Sequence, residues 1–188
     1  MSAPTETPTH TPPHAPMHTP LPDVIDTVLG LDAASPTLAL RQERAKLKHL
    51  TQTSYLAALR PAEPRNFSYA RRAALAARMT ALWQARELNA HYRAALAAET
   101  DSAETDGTEE ARIADPGFMP EDAQSPLAVV LRHVDLVTRS PKGATRPHIE
   151  ALKAAGLDDR DIVALAGLIA FVNYQVLVVA GLKMLRDH

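Results

Sequence analysis

With 188 residues, 46% of them hydrophobic and 22% charged, the chain has the size and balance of one soluble globular domain with tails. Its formal net charge of −2 lacks the basic surface that nucleic-acid binding requires, so no nucleic-acid partner is expected. It contains no cysteine, which excludes disulfides, thiolate metal sites and cysteine redox chemistry within the chain.

Residues 1–22 are a Pro/Thr/His tail, reading SAPTETPTHTPPHAPMHTPLP after Met1. Proline removes backbone donors and blocks helix, and the few apolar groups do not offset the entropy of ordering, so the tail is expected to be disordered or polyproline-like. His10, His14 and His18 recur every four residues, but Pro12, Pro13 and Pro16 forbid the helix that would gather them on one face. The tail shows no basic n-region and no apolar h-region, so the expected location is the cytoplasm.

The folded domain is expected over 23–188. It begins near Asp23–Gly30, and Ser35-Pro36 then reads as N-cap and first turn of a helix over about 37–59, ended by Pro61 and Pro64. Ser68 caps an alanine-rich helical region over 69–98 that contains no Gly or Pro. The stretch at about 99–122, ETDSAETDGTEEARIADPGFMPED, is acidic and Gly/Pro-punctuated, and reads as a mobile loop. The basic helices before it offer an intramolecular partner for its charge. A helix over 127–138 follows Ser125-Pro126, and Arg146-Pro147 opens a short helix over 148–155 that Gly156 closes as C′ residue. The last helix is expected over about 159–185. No segment alternates as a strand does, so the class is all-α.

Residues 162–182, IVALAGLIAFVNYQVLVVAGL, carry no charge. About 20 such residues suffice to cross a bilayer. Asn173, Tyr174 and Gln175 fall in the middle, however, where lipid would leave polar groups unpaired. Gly167, Gly181 and several alanines permit close helix approach. The segment therefore reads as a helix buried within and between subunits of a soluble homo-oligomer, with no membrane partner.

No GxGxxG, Walker, HExxH or GxSxG motif is present. Gln84, Glu87 and His91 fall on one helix face. Glu87 and His91 form an i,i+4 pair in which the carboxylate would orient the imidazole and raise its pKa, giving an acid/base unit. The competing reading is a surface pair, or a histidine packed in an alanine-rich interface. His49, His91, His133 and His148 lack paired ligand spacing, so neither a metal site nor a cofactor is expected. Trp83, Met79 and Leu82 read as core, and Arg71-Arg72 as solvated.

The run from Trp83 to Leu96 resembles the core helix of the alkylhydroperoxidase D-like, or carboxymuconolactone decarboxylase-like, superfamily, with its Cys-x-x-Cys-x-x-x-His motif. Aligned on His91, the two cysteine positions are Gln84 and Glu87, and the upstream relay glutamate falls near Arg71 or Arg72. Ile169-Ala170-Phe171-Val172-Asn173-Tyr174 is similar to the last helix of a peroxidase-related subgroup. Val176 and Leu177 depart from it, standing where that subgroup often has Asn and then Arg. Residues 24–59, with His49-Leu50-Thr51-Gln52-Thr53-Ser54-Tyr55, resemble a cysteine-free "CMD domain" branch.

The resemblance implies an oligomeric alkylhydroperoxidase D-like helical fold, with 69–98 divided into two helices by a tight bend. It also implies that thiol peroxidase activity is lost, because Gln and Glu can neither be oxidised by peroxide nor resolve a sulfenate. Two functions follow. One is a degenerate binding or assembly member working beside a cysteine-bearing relative. The other is a cofactor-independent enzyme of the carboxymuconolactone decarboxylase type. In that enzyme His91 would be the acid/base, Glu87 would orient it, and Gln84 and Arg72 would hold substrate.

Overall fold

The computed structural model describes residues 22–100 and 108–186. The expectations for the tail fall outside the described residues, Pro22 excepted. Those residues form nine α-helices and no strand: α1 Val24–Leu29, α2 Pro36–Glu43, α3 Ala45–Leu59, α4 Tyr69–Leu82, α5 Arg86–Glu99, α6 Glu109–Ile113, α7 Pro126–Arg139, α8 Arg146–Ala154 and α9 Asp159–Arg186. The all-α class is as expected from the sequence.

The centre of the fold is the α4–α5 hairpin, crossed by α9. Every residue of α4 from Arg72 to Thr80 is buried. Alanines at 73, 74, 76 and 77 keep that helix thin, so neighbours approach it from all sides. Ser68 starts it by accepting the Arg71 backbone N–H. The bend after α4 falls at Gln84, a non-glycine residue at φ 56°. The Ala85 N–H donates to the Thr80 carbonyl at 2.9 Å, and the Asn89 amide donates to the Ala77 carbonyl at 2.7 Å. These bonds close the end of α4 and tie the start of α5 onto it.

Two expectations are corrected. The helix anticipated over 37–59 breaks at Arg44, which leaves helical geometry at ψ 42°. Arg41 before the break and Lys48 after it both reach Asp26 on α1. The acidic stretch is not a free loop over 108–122. Thr108 caps α6, Ile113 and Ala114 are fully buried, and Arg71 pairs with Glu109 and Glu110. The guanidinium of Arg78, itself fully buried, donates to the carbonyls of Ile113, Asp115, Pro116 and Phe118. It also grips Asp135 on α7 through two hydrogen bonds of 2.6 and 2.7 Å. One arginine thus binds the stretch to the core by satisfying a whole turn of backbone carbonyls.

Helix α9 starts in a reciprocal cap. The Asp161 N–H donates to Asp158, and the Asp158 N–H donates to Asp161. Arg65 and Asn66 hold the buried Asp161 carboxylate at 2.8 and 2.7 Å. The helix is long and apolar enough, by length and composition, to cross a membrane. Its three mid-helix polar residues each take a partner from another part of the chain. Asn173 accepts from Trp83 Nε1 at 2.5 Å, Tyr174 meets Thr51 on α3 at 3.1 Å, and Gln175 accepts from the Tyr92 hydroxyl on α5. One face, including Leu165, Leu168, Ile169, Val172 and Val176, is buried in the core, while Val163, Leu177 and Met184 on the opposite face remain 60–70% exposed.

Candidate functional site

His91 sits on α5 beneath α3. Its Nε2 lies 3.0 Å from the Tyr55 hydroxyl, and its ring packs against the Tyr55 and Tyr92 rings at centroid distances of 5.7 and 5.2 Å. Burial lowers the His91 pKa below its ordinary value, because a charged imidazolium loses hydration there. The expected carboxylate partner is absent from this arrangement. Glu87 is exposed and accepts from Lys183 on α9 at 2.5 Å, and that ammonium is the main reason its own pKa is lowered. The i,i+4 pair read from the sequence is thus resolved into two separate contacts, one to α3 and one to α9. The anticipated rise in the imidazole pKa becomes a fall.

Gln84 lies exposed in the α4–α5 bend. Arg72 is not solvated as expected: it is 3% exposed. Its three guanidinium nitrogens donate to the carbonyls of Phe67, Ala58 and Pro64 at 2.9, 2.9 and 3.1 Å. Burial lowers its pKa. It clamps the α3–α4 connection to α4. Gln84, Glu87, His91 and Arg72 are therefore not joined to one another, since each that bonds through its side chain does so with a different partner.

A groove of about 680 Å³ runs between α3 and α9. Leu47, Leu50, Gly167, Phe171 and Tyr174 supply apolar walls, and Thr51, Ser54, Glu63 and Arg72 supply the polar groups. His91, Glu87 and Gln84 do not line it. Tyr55 touches Phe171, with ring centroids 6.2 Å apart, so the Tyr55–His91 unit stands one aromatic contact behind the groove wall. His133 on α7 is buried with Nδ1 unpartnered, and burial lowers its pKa too. Among the described residues no three His, Asp or Glu side chains converge as metal ligands.

Sequence reasoning missed Tyr55, Arg78–Asp135 and Tyr92–Gln175. Their partners stand 36, 57 and 83 residues apart, so no local spacing announces them. The one available signal was the polar triplet Asn173-Tyr174-Gln175, whose burial in an apolar helix demands partners.

No family model matches the chain, and no curated protein matches it. Among solved structures, the chain is similar to a crystal structure of an uncharacterized peroxidase-related protein from Silicibacter sp. TM1040, with a TM-score of 0.61, 18% identity, and coverage of 74% of this chain and 69% of that one. The chain thus shares an all-helical fold with that peroxidase-related protein.

Proposed function

We propose that the chain is a cysteine-free member of the alkylhydroperoxidase D-like group that performs no thiol chemistry and serves as a binding or assembly protein, working beside a cysteine-bearing relative. The observation that carries this reading is the state of the motif helix. Gln84 and Glu87 stand at the two thiol positions, and His91, the one remaining member of the relay, is hydrogen-bonded to Tyr55 inside a ring cluster. A peroxidase of this type needs one thiolate for the peroxide to attack and a second to resolve the sulfenate. The burial of Leu165, Leu168, Ile169, Val172 and Val176 against the rest of the chain supports a helix packed within a soluble, cytoplasmic protein over one anchored in lipid, and the exposed apolar face of α9 supports a homo-oligomer.

A second reading retains catalysis. The partly buried His91 has its pKa lowered by desolvation and faces a phenol at 3.0 Å, which favours the neutral imidazole that a general base needs. In an enzyme of the carboxymuconolactone decarboxylase type, Tyr55 rather than Glu87 would be its positioning residue. The test is turnover of an organic hydroperoxide by the purified protein with a dithiol donor. We expect no rate above the protein-free control. Turnover that disappears in His91→Ala would overturn the assembly reading.

A further inference from the structure

The groove between α3 and α9 has a second lobe. Arg44, Val178, Leu182 and Leu185 line a hollow of about 220 Å³. It shares Leu47, Thr51 and Tyr174 with the groove of about 680 Å³ described above. From one end to the other, the lining residues rise in number along α3 and fall along α9. Arg44 and Leu185 stand at the first end, Thr51 and Tyr174 at the waist, and Glu63 and Ala164 at the second end. The 15 residues of α3 cover about 22 Å along this path at 1.5 Å per residue. Val163, Leu177 and Met184, the outermost apolar residues of α9, line neither lobe.

The two ends differ in charge. At the small lobe Arg41 and Lys48 are matched by Asp23 and Asp26. Arg44 is exposed and makes no ion pair or side-chain hydrogen bond with the described residues. It is the cation in excess there, and no carboxylate lines that lobe. The large lobe ends instead on Glu63, which is exposed and equally unpaired. Between them the polar groups are Ser54, the Thr51–Tyr174 hydroxyl pair at 3.1 Å, and Arg72. The guanidinium nitrogens of Arg72 all donate to backbone carbonyls.

Gly167 keeps the large lobe open. A Cβ added there would meet nothing within 4 Å, and its backbone is ordinary helix. Glycine costs a helix stability relative to alanine, and neither the packing nor the backbone of this chain calls for it. A ligand lying against α9 does.

We infer that this groove binds a long-chain fatty carboxylate, with the carboxylate held by Arg44 and the chain laid past Tyr174 into the lobe beside Gly167. Charge sets the orientation, since Arg44 attracts the head and Glu63 repels it from the far end. Arginine suits a carboxylate because its fork can donate two parallel hydrogen bonds. Apolar walls with a few polar groups, enclosing roughly 300–1,000 Å³, are the usual form of a small-molecule site. The inference rests on the binding reading above and names its ligand.

The probe is cis-parinaric acid, a long-chain carboxylate whose fluorescence rises in an apolar site, titrated as a monomer into the full-length protein. We expect saturable binding at one site per chain. Palmitate displaces the probe, and methyl palmitate does so at least tenfold more weakly. Arg44→Glu weakens binding tenfold or more, and Arg44→Lys retains most of it. Gly167→Leu fills the lobe and abolishes binding while the melting temperature stays the same or rises, which loss of a merely structural glycine would not do. Equal displacement by palmitate and its methyl ester, or full binding in Gly167→Leu or Arg44→Glu, would overturn the proposal. So would a lower melting temperature in Gly167→Leu or the absence of saturable binding. Binding to phosphatidylglycerol vesicles without uptake of the monomeric probe would also overturn it and assign the groove to a lipid surface. Hydroperoxide turnover judges the binding reading and parinarate uptake judges its ligand, so the two fail separately.

Discussion

Arg78 and Arg72 show what a single residue decides in this fold. Each buries a guanidinium and offers its donors to backbone carbonyls that would otherwise lack partners. Removing the Arg78 side chain strands Asp135 and the carbonyls of the 113–118 stretch together. Arg78→Met is therefore expected to destabilise the protein by about 3–5 kcal/mol, the usual cost of breaking a buried charge pair on one side. Urea unfolding checks this, and hydrogen exchange should show loss of protection at 109–118 first. In the sequence both arginines look like ordinary charges on an alanine-rich helix. Their burial follows from carbonyls supplied by distant turns, which no spacing within α4 reveals.

The partly buried His91 and the buried His133 set a pH dependence at the same scale. His91 and His133 have pKa values lowered by burial. In the unfolded chain each takes up a proton near its ordinary value of about 6.5, while the folded chain resists protonation until lower pH. Stability from these two groups is therefore fully present above that value and is lost as the pH falls toward their folded pKa values. The melting temperature is expected to fall between pH 7.5 and 5.5. A melting temperature that rises over that interval would contradict the burial assigned to them.

At the scale of the element, the helix starts were readable and the helix interruptions were not. Ser35-Pro36, Ser68 and Ser125-Pro126 mark N-termini because a side-chain oxygen caps and a proline sacrifices no needed donor. The break at Arg44 and the bend at Gln84 lack glycine or proline, so no turn residue marks them in the sequence. Gln84 holds a left-handed backbone at φ 56°, which costs a residue with a Cβ about 1 kcal/mol. Gln84→Gly is expected to raise stability by about 0.5–1 kcal/mol, and Gln84→Val to lower it by at least as much. Thermal unfolding of the two variants distinguishes them, and equal effects would show that the bend is not strained. The acidic stretch was misjudged because composition described its exposed carboxylates, while Ile113, Ala114 and the carbonyls that bind Arg78 anchor it.

Across the whole molecule, the all-α class was legible in the absence of strand alternation and in the length of the apolar segments. The likeness to a peroxidase-related structure at 18% identity shows a shared fold alone. Deleting residues 1–20 is expected to leave the melting temperature almost unchanged, because a Pro/Thr/His segment has little apolar surface to bury. A drop of several degrees would show that the tail docks on the domain. The site was the least legible part. Its decisive contacts, Tyr55 to His91 and Lys183 to Glu87, join α5 to two other helices and override the local i,i+4 geometry.

His91 is a packed ring held by Tyr55, not an imidazole charged by Glu87. An NMR titration of the His91 ring in the unmodified protein and in Glu87→Gln tests this directly. The predicted result is a midpoint below the ordinary histidine value that does not move when Glu87 is neutralised. A midpoint above that value, falling in Glu87→Gln, would contradict it and restore the Glu87–His91 pair as the acid/base unit.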